Sequence, residues 1–552
     1  MKSELEKIIT DLVNEKFNKI YKVDVFRPET KFGDFSTNIA LKLAKELNAS
    51  SLDIANQLAD DLRSQFSEIF QEINVAKPGF LNFFLRDRYL LLDNDLNFKN
   101  EQLKDQVIVI ETNNPNPFKA MHLGHALNAI IGDSLANLLE IGGARVHRVS
   151  YHGDIGSHVG KTMWAVLKHI NNDPKNLISV EPNSRYKFLA DMYSEGAKAY
   201  QADINIKAEI ISLADQSYKL DDPIYKQVYQ TCKDWSFEEL DEVLKRLGSK
   251  TVERRYLESE VEPAGVEIVK KNIDKYFFLS KGALIFRGED YGLFTTVFVS
   301  SSDRGLYAAR DLGLIELKQR DFSPDKSMIV TASEQKDYFK VVIKASELCQ
   351  IAKIGETNNI TTGIVKLSSG KMSSRQGDAI NIVWLFDEIT AELSKYNKQV
   401  SQDLLVGAIR YQFLKVKLGS DIVFDIKQSI SLQGNSGPYL MYAHARAQSI
   451  IRKSKKIIES VPDDFNIEDS ERNLVLKIAD FKDTMAKTIS QLKPHLLCLY
   501  LYELSQEFNR FYEKNKVIGS DREIIRLYLV KSYAEVLRTG LLSLGIKALD
   551  EM

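Results

Sequence analysis

Cysteine is scarce in this chain. Cys232, Cys349 and Cys498 are the only three in 552 residues, and they lie far apart. That spacing offers neither a zinc-binding pair nor a disulfide framework, and it points to a reducing cytosol. No uncharged apolar run approaches the length of a membrane span. The first residues, Met1-Lys2-Ser3-Glu4-Leu5-Glu6-Lys7, alternate in charge and lack the apolar stretch of a secretory signal. A cytoplasmic protein without a membrane segment is therefore expected. An excess of one charge is missing too, with 74 Lys+Arg against 76 Asp+Glu. That balance excludes a broadly basic nucleic-acid binder but leaves a local basic face open. There is no internal repeat and no low-complexity tract.

The length is too great for one compact core and predicts about two to four domains. Leu5, Ile8, Ile9, Leu12 and Val13 recur at helical spacing. A second helical stretch, Thr37–Leu47, follows the turn Phe32-Gly33-Asp34. Short strands at Ile73–Val75 and Leu81–Phe84 flank Lys77-Pro78-Gly79. Together they make a small α+β unit over 1–105, with Asn97–Gln106 as its polar linker. Val107–Ile110 then reads as a buried parallel strand, all four of its residues being β-branched. After it come an Asn/Pro loop, a helix from about Gly124 to Gly142-Gly143, and a strand at Val146–Tyr151. Strand, loop, helix, strand is a βαβ unit, repeated weakly around Ser327–Val330. This second region spans 106–395 and carries an insertion at about 170–300, which includes a hairpin-like stretch at Ala283–Asp290. From Tyr396 to residue 552 the pattern is almost wholly helical.

Two short motifs about 250 residues apart carry the chemistry. His122-Leu123-Gly124-His125 sits where a strand gives way to a helix, so free backbone N–H groups and the positive helix end are expected there. Gly124 allows close approach of a phosphate. Two imidazoles one turn apart can donate to phosphate oxygens as charge builds. A pair of surface histidines or a metal pair is the alternative, and a metal would want a third ligand at matched spacing. Lys371-Met372-Ser373-Ser374-Arg375 lies in a Ser/Gly-rich loop, from which Lys371 can reach a phosphate as a point charge.

The pair resembles the HIGH and KMSKS signatures of the class I aminoacyl-tRNA synthetases. The text around it is similar to the arginyl-tRNA synthetases of that class. Glu111–His125, Ile131–Ala136, Gly153–Gly156 and Gly437–Arg446 carry the likeness, with Lys31–Ser36 and Pro78–Asn82 near the start. It covers nearly the whole chain and is weakest at about 170–250. The resemblance implies a Rossmann-type parallel-sheet catalytic core, a preceding α+β domain that meets the tRNA elbow, and a following all-α anticodon-binding domain. It implies an arginine–tRNA ligase that uses ATP with Mg²⁺, joins arginine to AMP, and passes it to the terminal ribose of arginine tRNA. By the same likeness the enzyme acts as a monomer and activates its amino acid only with tRNA bound, and the cysteine spacing implies no protein-bound zinc.

Site residues follow from that likeness. His122, His125 and Lys371 would bind phosphates, with Gly124, Met372, Ser373 and Ser374 beside ATP. The fourth position of the second motif is Ser374 rather than lysine. Arginyl enzymes often use a lysine just before the first motif instead, and Lys119 fits that place; a solvated loop cation is the alternative. An arginine substrate needs carboxylates, because a guanidinium keeps its charge and pairs bidentately with them. Tyr307 and Asp311, four apart in sequence, fall on one face if helical. The resemblance gives both to the guanidinium, with Glu258 as a second carboxylate and Glu111, Asn116 and Gln335 around the substrate. His152 and His158, near Asp154, read as pocket lining or surface. Asn82, Tyr442, Arg446 and the final Met552 would meet tRNA, with Tyr442 and Arg446 pairing a stacking aromatic with a guanidinium. The run Arg452-Lys453-Ser454-Lys455-Lys456 could follow phosphates, or be a solvated helix face. A different class I synthetase, a nucleotidylyltransferase with a similar first motif, and a tRNA-binding relative without catalysis remain as alternatives.

Overall fold

The computed structural model describes residues 1–18, 20–92, 100–368, 380–395, 400–454, 456 and 466–552. Helix α1 (Lys2–Phe17) opens the N-terminal unit and buries Leu5, Ile9, Leu12 and Val13 along one stripe. Then come β1 (Phe35–Thr37), α2 (Ile39–Leu47), α3 (Ser51–Gln65), β2 (Phe70–Ala76), β3 (Phe80–Leu85) and α4 (Asp87–Leu92). The strands form an antiparallel sheet in the order β1-β3-β2. Thr37, expected in a helix, ends β1 instead. Helix α3 is missing from the sequence reading, although Ser50 caps it and Ile54, Leu58 and Leu62 make a buried stripe at four-residue spacing.

The central sheet has five parallel strands. Its elements are β4 (Val107–Asn113), α5 (Leu123–Ile141), β5 (Arg145–His152) and α6 (Ser157–His169), then the helices α7 (Arg185–Ala202), α8 (Ile204–Lys219) and α9 (Pro223–Arg246). Next are β6 (Arg254–Leu257), α10 (Glu258–Lys271), β7 (Phe277–Ser280), β8 (Ala283–Phe286), β9 (Thr296–Val299), α11 (Tyr307–Phe322), β10 (Lys326–Ala332), α12 (Lys336–Leu348) and β11 (Thr357–Thr362). The strand order is β11-β10-β4-β5-β6, every pair parallel. Ile108, Val109 and Ile110 of β4 are fully buried, as a strand covered on both faces must be. From β4 the chain runs outward to β5 and β6, then crosses back to β10 and β11. The gap between β4 and β10 is thus the topological switch point, where such sheets open a crevice at their carboxyl ends.

Two expectations about the insertion change. β6 belongs to the central sheet, so the stretch from about 170 to 300 is not one excursion but the helical block α7–α9 and a separate antiparallel meander, β7-β8-β9. Ala283–Phe286 is the middle strand of that meander, and its turns lie at Lys281-Gly282 and beyond Gly288.

After the sheet come β12 (Val365–Leu367), α13 (Ile382–Ser394), α14 (Gln402–Leu414), β13 (Ile422–Phe424), α15 (Ile426–Ser429), α16 (Gly437–Lys453), α17 (Asp469–Ala479), α18 (Phe481–Gln491), α19 (Pro494–Lys514) and α20 (Glu523–Ser543). β13 pairs in parallel with β12, so a strand interrupts the segment expected to be helical from Tyr396. Two ionic joints tie the units together. Arg472 of α17 holds Asp34 at 2.5 Å and Asp87 at 2.8 Å in the N-terminal unit. Arg410 of α14 is wholly buried; it binds Asp133 of α5 at 2.7 Å and donates to the carbonyls of Leu247 and Leu544. A buried guanidinium with every acceptor in place fixes the relation of these segments, whereas removing one acceptor would leave a charge unpaired.

Candidate active site

A cavity of about 800 Å³ opens at the carboxyl ends of the five strands, over the switch point. Glu111, Asn116, His122, Gly124, His125, Glu258, Tyr307, Asp311 and Gln335 all line it. Nine sequence-predicted residues, scattered over more than 220 positions, therefore line one cavity.

At one end stand the two imidazoles. His122 is the N-cap of α5, and its Nδ1 accepts from the N–H groups of Gly124 (3.1 Å) and His125 (3.4 Å). The Leu123 N–H donates to the Ile380 carbonyl. The helix-start N–H groups expected to be free for a phosphate are therefore already used. What His122 offers instead is its Nε2–H, because accepting at Nδ1 fixes the tautomer. The two rings stack with centroids 3.7 Å apart. Burial, and then Lys119, lower His122 to about 4, and burial above all holds His125 well below the usual imidazole range. Both rings are thus neutral donors near pH 7, suited to an oxyanion whose charge develops during reaction.

Lys119 is half-buried near these rings and is not among the residues lining the cavity. Burial lowers its pKa, opposed by Glu258. Its charge is felt at His122, His125 and His158. Lys371, Met372, Ser373 and Ser374 lie outside the described residues. Leu367 and Ile380, on either side of that segment, both line the cavity, and Asn381 forms a bridge with His122.

The other end is acidic. Helices α10 and α11 cross where a Cβ at Gly265 would fall on the Ala309 carbonyl and one at Gly313 on that of Val261. This close crossing sets Glu258 and Glu262 of α10 against Arg310 and Asp311 of α11. Arg310 binds Glu258 at 2.9 Å and Glu262 at 3.0 Å, and it donates to the Tyr218 hydroxyl. Glu111 is also taken: Lys318 holds it at 2.5 Å, both side chains 1% exposed. Asp311 is left with the Tyr338 hydroxyl as its donor. Burial first, then Glu111 and Glu258, push Asp311 up to about 7 against the Tyr338 bond. Burial also raises Glu258 to about 7, with Arg310 opposing. The bidentate acidic pocket expected for a guanidinium is thus one open carboxylate, Asp311, flanked by two already paired ones. Tyr307 is 70% exposed, one turn from Asp311 on the same wall.

Asn116 is oriented by the Gly153 N–H, which donates to its Oδ1 at 2.8 Å. A Cβ at Gly153 would stand 3.1 Å from Asn116 Oδ1 and from Glu258 Cδ, so glycine is what lets β5 end between them. His152 bonds the Pro115 carbonyl and Ser150, and His158 the Gly153 carbonyl. Both are loop braces at the back of the site. No group of three His, Cys, Asp or Glu among the described residues is placed to hold a metal ion.

Sequence reasoning missed Arg310, Glu262, Lys318 and Tyr338 as site residues. Lys318 had one weak signal, a lone cation on the apolar stripe of α11; the partners of Arg310 depend on the helix crossing.

Tyr442, Arg446 and Met552 line a second cavity of about 870 Å³, far along the chain from the first. The Arg446 guanidinium lies 5.0 Å from the Tyr442 ring centroid and donates to Asn509. Of the basic run, Lys453 lines this cavity, Arg452 pairs with Glu551 and Lys456 with Glu523, and Lys455 lies outside the described residues. Asn82 is in neither cavity; it is buried in the middle strand β3 between Ser36 and Asn74. No helix among the described residues is long and apolar enough to cross a membrane.

Comparison with known proteins accounts for all three parts of the chain. Residues 1–85 match the arginyl tRNA synthetase N terminal domain, residues 88–426 the catalytic domain of tRNA synthetases class I (R), and residues 440–552 the DALR anticodon binding domain. An arginine–tRNA ligase of Borreliella afzelii is 27% identical over 100% of this chain and 99% of its own. One from Crocosphaera subtropica is 29% identical over 95% of this chain and 94% of its own. Among solved structures, the Thermus thermophilus arginyl-tRNA synthetase is similar in fold with a TM-score of 0.82 at 23% identity, each chain covered completely. That of Plasmodium falciparum gives 0.78 at 22% identity, over 100% of this chain and 99% of the other. With a catalytic-domain match over more than half its length, set on a switch-point cavity that joins two neutral imidazoles to an acidic pocket, the chain belongs to the arginyl class I tRNA synthetases.

Proposed function

We propose that the chain is an ATP-dependent arginine–tRNA ligase whose active site is the switch-point cavity. The observation that carries this reading is the single cavity lined by His122, His125, Glu258, Tyr307 and Asp311. Arginine lies with its guanidinium against Asp311 and the Tyr307 ring, its length reaching toward Asn116 and Gln335. Glu258 and Glu111 add negative potential from their paired positions. The substrate's own carboxylate attacks the α-phosphorus of ATP, which enters as its magnesium complex, and pyrophosphate leaves. The protein supplies no nucleophile, so its contribution is positioning and electrostatics. The Nε2–H of His122 and the ring N–H of His125 meet the phosphate oxygens beside Gly124. Lys119 adds a cation beside the imidazoles, and Lys371, with Met372, Ser373 and Ser374, serves the leaving group. The arginyl group then passes to the terminal ribose of arginine tRNA, whose anticodon meets Tyr442, Arg446 and Met552. The buried place of Asn82 supports a bracing role in the N-terminal unit better than direct contact with tRNA. The enzyme works in the cytoplasm as a monomer. Pyrophosphate exchange with each of the twenty amino acids, in the presence of total tRNA, tests the reading. Exchange with arginine alone is expected, and exchange with another amino acid in its place would overturn it.

A further inference from the structure

The loop that carries Lys119 is held from outside itself. Phe118, immediately before it, has φ 65°, a left-handed conformation that a bulky side chain rarely adopts. Such a backbone persists only where its surroundings over-determine it. Here the Phe118 N–H donates to Ser236 Oγ at 3.0 Å, its carbonyl accepts from Thr162 Oγ1 at 2.8 Å, and its fully buried ring stacks on Tyr229 at 5.2 Å. Ser236 and Tyr229 both belong to α9, seven positions apart and so two turns along one face.

The same Tyr229 is also linked, through Asp154, to the residue next to Glu258. Its hydroxyl shares its one proton between the Asp154 carbonyl at 3.0 Å and Asp154 Oδ2 at 3.1 Å. Asp154 is 1% exposed, and its carboxylate also accepts from Ser259, from the backbone N–H at 3.0 Å and from Oγ at 2.7 Å. Ser259 directly follows Glu258 in the first turn of α10. One helix of the insertion thus grips the Lys119 loop and the Glu258 anchor by separate contacts.

We infer that Tyr229 and Ser236 are positioning residues through which the helical insertion sets the two halves of the site, Ser236 fixing the Lys119 loop for ATP and the Tyr229 hydroxyl fixing Glu258 for arginine. The inference rests on the proposed arginine–tRNA ligase reading and adds a division of labour to it. Neither residue lines the cavity, so each acts through the group it holds.

The contacts predict opposite kinetic signatures. Tyr229→Phe keeps the ring on Phe118 and removes only the hydroxyl. In pyrophosphate exchange with total tRNA present, KM for arginine should rise about fivefold or more, as expected when a buried carboxylate loses a donor, while KM for ATP and kcat stay near wild type. Ser236→Ala frees the strained loop instead. It should lower kcat about tenfold or more, since small misplacement of a reacting group is costly, and leave KM for arginine unchanged. Both variants remain folded by circular dichroism if the contacts only position. An unchanged arginine KM in Tyr229→Phe, an unchanged kcat in Ser236→Ala, or the same mixed loss in both would overturn the inference, the last pointing to general loosening. A wild-type protein inactive with arginine would instead reject the ligase reading itself, so the two failures are distinct.

Discussion

Arginine binding should tighten as pH rises through neutrality, and Asp311 sets the size of the effect. It is half-buried among Tyr338 of α12, Tyr151 of β5, Glu111 of β4, Glu258 of α10 and Lys318 of its own helix. No arginine or lysine pairs with it directly among the described residues, and burial raises it to about 7. Only the carboxylate pairs with a guanidinium, so the apparent affinity scales with the ionised fraction. That fraction rises from about one tenth at pH 6 to about nine tenths at pH 8, which lowers the arginine KM about tenfold. Glu258, also raised to about 7, adds in the same direction, although Arg310 already neutralises part of its charge. For stability the sign is reversed. A carboxyl whose folded pKa lies above its unfolded value stabilises the empty protein below about pH 4, and that contribution is lost as pH climbs toward 7. Bound arginine restores it, so the thermal upshift produced by arginine should be larger at pH 8 than at pH 6. His122, at about 4, does not titrate in this window and cannot mimic the effect. The assay is the arginine KM in exchange with total tRNA at half-unit steps from pH 6 to 8, repeated for Asp311→Asn. The variant should bind arginine far more weakly and lose most of the pH slope. A flat wild-type profile would refute the reasoning, because it would mean that Asp311 is ionised throughout or does not meet the guanidinium.

His122→Ala and His125→Ala should each lower kcat by the equivalent of about 2.7–4 kcal/mol, with little change in arginine KM, as for loss of an oxyanion donor; near-normal turnover in either would remove the imidazoles from the phosphate site. Lys119→Ala should cripple exchange, and adding Ser374→Lys should recover part of the loss; full activity of the single variant would return Lys119 to a loop cation. Exchange by protein stripped of RNA should be negligible, and Tyr442→Ala or Arg446→Ala should weaken tRNA binding and, at subsaturating tRNA, exchange as well; robust exchange without RNA would reject the coupling of the two cavities.

The parts of the site legible in sequence were those whose chemistry is local. The first histidine motif announces itself because strand, turn and helix are adjacent, and Tyr307 and Asp311 because one helical turn separates them. What stayed hidden depends on distant segments meeting. Nothing near Arg310 says that it will occupy Glu258 and Glu262, since that pairing needs the α10–α11 crossing at Gly265 and Gly313. Glu111 is expected around the substrate, and nothing near it in sequence foretells its pairing with Lys318, about 200 residues away. The helix-start N–H groups were misjudged for the opposite reason: the capping side chain was in plain view, but histidine is not a usual N-cap. Within the fold, β6 and β13 were missed because strands of four and three residues carry too little pattern to stand out from helical neighbours.

Arg410 also orders events in time. The segments that carry Asp133 and Leu247 leave the ribosome hundreds of residues before Leu544, whose carbonyl completes the guanidinium's set of acceptors. Until then, closing the α5–α14 interface would bury a cation short of one partner, a cost large against the marginal stability of a domain. A nascent chain should therefore keep the back of α5 loose until Leu544 has been made, and a product cut short of Leu544 should be recognisable to proteases at that helix. Limited proteolysis of chains ending before and after Leu544 reads this directly. Earlier cleavage within α5 is expected only in the shorter one, and equal protection in both would show that the joint closes without its last acceptor.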